Sequence, residues 1–188
     1  MVDYYEQNYL EYHASTFGID PFSFLNPLVQ RLPPSATILD VGCGSGRDMR
    51  WFKERGFRPM GLEQSPTIAA MARNHSGCPV LEVDFETYDF SALSFDSLLL
   101  VGALVHVAHE RFEHILKALR PAGHALITLK EGRNLTETSH GRTFYLWQDQ
   151  DLRQIFADLN LAVMDFSRDV SKVRDTDIWL GYVLQKTI

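Results

Sequence analysis

The stretch ILDVGCGSGRD, residues 38–48, constrains the fold of this chain more than any other. An apolar run ends at Val41, glycines follow at 42, 44 and 46, and Arg47 and Asp48 come next. Glycine reaches positive φ at no steric cost, so this spacing builds a sharp turn that other residues resist. The segment before the turn is β-branched and apolar, a buried strand. The segment after it has helical pattern, so the turn joins strand to helix in an α/β sheet. In open parallel sheets ligands bind beyond the carboxyl ends of the strands, and the turn marks that place.

The rest of the chain keeps the same rhythm. Strands are predicted at 37–41, 58–63, 79–85, 95–104 and 124–130, and helices at 47–56, 65–75, 109–123 and 149–160. Ser65 as N-cap with Pro66 behind it is a strong helix start, and Gly56 is a natural helix stop. Two last strands, 161–168 and 177–186, have no helix between them and should pair as a hairpin. The pattern predicts a Rossmann-like, doubly wound α/β sheet of seven strands with helices on both faces. It is mostly parallel, with an antiparallel strand from the C-terminal hairpin added at one end. Residues 1–188 read as one domain, with a helical extension or lid over 1–34 and a ligand-binding core over 35–188. Tyr5, Tyr9 and Tyr12 fall on one helical face, either as core packing or as a lid over the site.

The glycine spacing narrows the ligand. A dinucleotide fingerprint reads G-x-G-x-x-G. Here the third glycine comes one residue early and Arg47 fills the fingerprint slot, which argues against a pyrophosphate. Glu63 ends the second strand about 20 residues past the turn, where a carboxylate accepts hydrogen bonds from ribose hydroxyls and repels a 2′-phosphate. The net charge of −6 and the absence of a basic run argue against nucleic acid and for a small-molecule partner. Two cysteines make neither a disulfide framework nor a metal spacing. The polar N-terminus and short apolar runs give the expectation of a cytoplasmic protein without membrane contact.

ILDVGCGSG with an acid ending the second strand resembles the class I S-adenosylmethionine-dependent methyltransferases. VDFETYDF after strand three, LVGALVHV at strand four and ALRPAGHALIT leading into strand five continue the resemblance. It extends from about Thr37 to the C-terminus and implies the cofactor S-adenosyl-L-methionine, with S-adenosyl-L-homocysteine as product. It also implies roles by position. Asp40 and the backbone of Gly42, Cys43 and Gly44 lie by the methionine part, Glu63 holds the ribose, and Gln64 runs along the adenine. Asp84 and Phe85 line the adenine edge, while Gly102, Ala103 and Leu104 approach the sulfonium. A tyrosine from the N-terminal segment (Tyr4, Tyr5 or Tyr9) closes over the cofactor. Arg47 pairs with the cofactor's carboxylate or caps the strand ends.

Displacement at a methyl carbon needs alignment first, and a base only where the nucleophile holds a tightly bound proton. His106 is the candidate base, with structural packing as its other reading. His109 follows three residues on, a spacing that invites a metal, although the junction suits substrate contact better and no metal is expected. The polar stretch after strand five carries Lys130, Glu131, His140, Arg142, Phe144 and Tyr145. It is longer than an ordinary αβ connection and reads either as a substrate-binding loop, with Arg142 toward an anionic group, or as a solvated loop with one structural arginine. The pattern KEG…GR.F resembles small stand-alone bacterial methyltransferases. No NPPY-type sequence follows strand four, which sets the chain apart from amide-directed nucleic-acid enzymes of that family. The expected activity is methyl transfer to O, N, S or C of a small molecule by a monomer or homodimer. A non-catalytic cofactor-binding protein and an RNA methyltransferase are the alternatives.

Overall fold

The structure, a computed structural model, describes residues 2–107, 111–133, 136–139 and 142–187. Helices α1 (Val2–Gln7), α2 (Tyr9–Thr16) and α3 (Phe22–Val29) precede strand β1 (Thr37–Val41). Then come α4 (Arg47–Lys53), β2 (Arg58–Glu63), α5 (Pro66–Ser76), β3 (Val80–Glu82) and β4 (Phe95–Val101). The second half holds α6 (Phe112–Ile115), β5 (Leu119–Lys130), β6 (Thr136–Ser139), β7 (Arg142–Tyr145), α7 (Asp149–Asp158), β8 (Leu161–Val170) and β9 (Ile178–Lys186). Seven strands form one sheet in the order β3-β2-β1-β4-β5-β9-β8, and β6 and β7 pair as a separate hairpin. Among the described residues no helix is long and apolar enough to cross a membrane.

Alternation along the buried strands sends neighbouring side chains to opposite faces. Ile38 and Leu99 join Leu25 and Leu28 of α3 and Phe52 of α4 in one core. Leu39, Leu98 and Leu100 join Leu152 and Phe156 of α7 in the other. Both faces of the sheet are covered, which leaves the strand ends as the place for a site.

The C-terminal hairpin forms as the sequence predicts, but its antiparallel strand does not sit at the edge. β9 pairs antiparallel with both β5 and β8, and β8 takes the edge. Burial explains the order: Leu180, Tyr182, Val183 and Leu184 of β9 are buried, whereas Met164, Phe166 and Val170 of β8 stay exposed. The helix predicted over 109–123 is also shorter. α6 ends at Ile115, one 3₁₀ turn follows, and β5 begins at Leu119. Residues 120–123 form a bulge, since Leu119 pairs with Phe95 and His124 with Ser97, and Ala122 holds φ +59°. A bulge is where a sheet tolerates a proline such as Pro121.

Ser65 caps α5 as expected, its Oγ accepting the Ile68 N–H at 3.2 Å, and Gly77 closes the helix with φ +61°. The glycine turn depends on packing as well as on φ. Gly46 has φ +86°, and a Cβ there would stand 2.8 Å from the Ala72 carbonyl oxygen of α5. Gly56 has φ +83° with nothing within 4 Å. Gly46→Ala should therefore cost about 2–4 kcal/mol and Gly56→Ala about 1 kcal/mol, read from denaturant midpoints. Equal losses would contradict the close seat of the turn on α5.

Candidate active site

Where β1 ends, Gly42 and Cys43 both donate their N–H groups to the Leu62 carbonyl, at 2.9 and 3.0 Å. This fastens the glycine turn to β2. One step further the Gly44 N–H reaches the Glu63 Oε2 at 3.1 Å, while Oε1 accepts from the Gln64 and Ser65 N–H groups at 2.9 and 3.0 Å. Three backbone amides thus aim one carboxylate, and Oε2, with a single amide on it, keeps a lone pair for a further donor. Burial pushes the Glu63 carboxyl above its ordinary range, and the three amides oppose that rise.

Asp40 lies one residue before the end of β1. It is buried, and its Oδ2 has no hydrogen-bond partner. Burial, then the charge of Asp48, lifts its carboxyl well above the usual range. Arg47 is committed elsewhere. It donates to both carboxylate oxygens of Asp48, at 2.6 and 2.9 Å, and to the Thr16 carbonyl at 3.1 Å. Of the two readings of Arg47, the geometry favours the structural one, since this fork ties α2 to the turn.

The N-terminal helices lie over the turn. The Glu6 carboxylate accepts from the hydroxyls of Ser65 and Thr67 at the start of α5. Tyr12 rests on the turn so closely that a Cβ on Gly44 would stand 2.5 Å from its hydroxyl oxygen. The tyrosine stripe is broken between its first two members. α1 stops at Gln7, where the Asn8 side chain donates to the Tyr4 carbonyl at 2.7 Å. Tyr5 and Tyr12 consequently meet edge to face at 5.3 Å, and Tyr9 lines neither of the two cavities at this end of the sheet.

His106, in the 3₁₀ turn after β4, stands beside these rings. Its Nδ1 lies 2.8 Å from the Thr143 carbonyl and its Nε2 lies 2.8 Å from the Tyr5 hydroxyl. A carbonyl only accepts, so Nδ1 carries the proton and Nε2 accepts from Tyr5. Burial pulls the imidazole down to about 4.

Two cavities open at this end of the sheet. The larger, about 760 Å³, is lined by Asp40, Gly42, Cys43 and Arg47, and on its far side by Arg142, Phe144 and Trp179. The smaller, about 90 Å³, is lined by Glu63, Gln64, Phe85 and Ala103. Tyr5, Tyr12, Gly42, Gly102 and His106 line both. Most of the residues singled out in the sequence are thus gathered around one cleft. Others are not. Asp84 turns its carboxylate onto the Glu86 N–H at 2.9 Å and lines neither cavity, whereas Glu86 lines the smaller one. Lys130 is buried and paired with Asp177 at 3.1 Å, Glu131 with Arg168 at 2.7 Å, and Tyr145 lines neither cavity. His109 and His140 lie outside the described residues. Tyr12 as the residue seated on the turn, Thr128 and Trp179 are what sequence reasoning missed. Trp179 falls opposite Lys130 in the β5–β9 register, a pairing visible only once β9 is placed inside the sheet.

The sequence of residues 38–123 matches a family model described as a methyltransferase domain. No curated protein sequence matches the chain. Among solved structures it is similar to 1,6-didemethyltoxoflavin-N1-methyltransferase of Burkholderia thailandensis, crystallised with 1,6-didemethyltoxoflavin and S-adenosylhomocysteine. That match has a TM-score of 0.78 at 20% identity and covers 100% of this chain and 87% of that one. A TehB-like S-adenosylmethionine-dependent methyltransferase of Corynebacterium glutamicum matches at TM-score 0.71 and 20% identity, over 99% and 98% of the two chains. Magnesium protoporphyrin IX methyltransferase of Synechocystis, with bound S-adenosylmethionine, matches at 0.69 and 12% identity, over 88% and 76%. Residues 38–123 thus resemble a methyltransferase domain, and the chain has the fold of the S-adenosylmethionine-dependent methyltransferases it matches in structure.

The His106 geometry sets a pH dependence. Between pH 4 and 6.5 the unfolded imidazole binds a proton that the folded one does not, so the folded state gains stability as pH rises through that window. His106→Gln, neutral throughout, should flatten this part of the stability curve by up to about 3 kcal/mol. Unfolding midpoints measured from pH 4 to pH 7 check this, and parallel curves for the two proteins would refute it.

Proposed function

We propose that the chain transfers a methyl group from S-adenosylmethionine to a small-molecule acceptor in the larger cavity. The observation that carries this reading is the unpartnered Oδ2 of Asp40, buried on that cavity beside the glycine turn. Buried carboxylate oxygens are ordinarily hydrogen-bonded, and an ammonium-bearing ligand supplies the missing donor. The same ligand would also restore the ionised form of Asp40. Glu63, tied by three amides and facing the smaller cavity, keeps its Oε2 open to a ribose hydroxyl. These two acids fit the two ends of S-adenosylmethionine, whose bound sulfonium supplies a methyl carbon open to a lone pair of the acceptor.

The protein's part is then to bind, align and exclude water. Gly102 takes φ +70°, and its N–H is held by the Thr128 hydroxyl at 2.8 Å, giving a bare backbone surface between the two cavities. A ligand that spans the two cavities would find its passage along that surface. Tyr5 and Tyr12 act as the lid, since a ligand reaching from Asp40 to Glu63 must pass beneath them. A pKa of about 4 makes His106 a weak base at neutral pH. Its two hydrogen bonds support a positioning role, holding the Tyr5 hydroxyl over the passage.

Calorimetric titration with S-adenosylmethionine, S-adenosylhomocysteine and NAD tests the reading. Micromolar binding of the two sulfur compounds and none of NAD is expected. Glu63→Ala and Asp40→Asn should each weaken that binding by about 1–3 kcal/mol, the range for lost charge-assisted hydrogen bonds. Binding of NAD, or unchanged affinity in both variants, would overturn it.

A further inference from the structure

Arg142 opens β7, the second strand of the small hairpin that follows β5. Its guanidinium carbon lies 4.5 Å from the centroid of the Tyr4 ring, 5.1 Å from that of Phe144 and 5.9 Å from that of Tyr5. Its Nε is buried without a hydrogen-bond partner, and among the described residues no carboxylate pairs with it. Other cations around the large cavity are engaged: Arg47 by Asp48, and Lys172 by the Asp20 carbonyl and the Ser23 hydroxyl. A half-buried guanidinium held among rings beside the Tyr5 hydroxyl, its Nε buried and no carboxylate paired with it among the described residues, is unusual in a folded chain. The hairpin that carries it is bonded to the turn after β4. Thr143 beside it accepts the His106 N–H at 2.8 Å, and the Phe144 ring lies 4.7 Å from the imidazole.

We infer that Arg142 is the subsite for a carboxylate on the methyl acceptor, and that the acceptor is a small, flat, singly charged aromatic or heteroaromatic acid. The planar fork of arginine matches a carboxylate in a way a point charge does not. The rings of Tyr4, Phe144 and Trp179 around the same cavity suit a flat ligand. Asp165, Asp169 and Asp177 also line this cavity and oppose a dianion, which favours a single charge. An acceptor that arrives with its charge already developed also suits a site whose imidazole stays neutral. The acceptor's role rests on the methyltransferase reading, whereas the anion site stands on Arg142 alone.

The test is binding of benzoate, 4-hydroxybenzoate and picolinate against their uncharged amides, each titrated into the full chain with and without saturating S-adenosylhomocysteine. The expected result is at least a tenfold preference for the acids in the wild-type protein. Arg142→Gln should abolish that preference while S-adenosylhomocysteine affinity stays within about twofold, which also shows the variant folded. Arg142→Lys should keep a reduced preference, since the charge remains and the fork is lost. Acids and amides binding alike, or an unchanged preference in Arg142→Gln, would overturn the anion site. If the acids are preferred through Arg142 but S-adenosylhomocysteine does not bind, the anion site stands and the methyltransferase reading fails.

Discussion

Gly42, Gly44 and Gly46 all hold positive φ, and each is pressed against a different neighbour: Ala103 after β4, Tyr12 on α2, and Ala72 on α5. The turn is therefore the joint at which the first strand, the N-terminal helices and α5 meet. Its position also fixes the chemistry. With Gly42 and Cys43 bonded to Leu62, the Gly44 amide is left pointing at Glu63, and Asp40 is left buried one residue before the strand's end. A side chain at any of the three glycines would meet both a backbone penalty and a contact too close to keep, so the turn leaves little room for variation.

The N-terminal segment and the hairpin after β5 complete the site from opposite sides. α1 is latched by Glu6 to the start of α5, and α2 is tied to the turn by Arg47 and by the His13–Ser45 contact of 3.0 Å. The hairpin reaches the same place through Thr143 and Phe144. They meet at the Tyr5–His106 hydrogen bond, in which the fixed tautomer of the imidazole sets the direction of the tyrosine proton. These contacts are side-chain bonds between short elements, so this layer opens more readily than the sheet beneath it.

Much of this was legible in the sequence because it rests on local chemistry. The glycine spacing, the acid closing β2, and the Ser65–Pro66 helix start each state a backbone requirement that few residues satisfy. The parts that were not legible depend on distant partners. Asp84 looks available from its place after β3, yet its carboxylate closes its own turn on Glu86. The tyrosine spacing assumed an unbroken helix, but α1 stops at Gln7, and Tyr9 lines neither cavity. Lys130 and Glu131 sit at a strand end that points to ligand contact, but Asp177 and Arg168 take them up once β8 and β9 have folded back. The polar loop after β5 gave no alternation long enough to reveal its hairpin, so the seat of Arg142 against the rings could not be read in advance.

In the proposed function Asp40 and Glu63 hold the two ends of one ligand beneath Tyr5 and Tyr12. A crystal structure of the chain with S-adenosylhomocysteine would show this arrangement. The ligand's ammonium is expected within hydrogen-bond distance of the Asp40 Oδ2 and a ribose hydroxyl on the Glu63 Oε2, with the adenine toward Gln64 and Phe85. A ligand bound elsewhere, with the Asp40 oxygen still unpartnered, would contradict it.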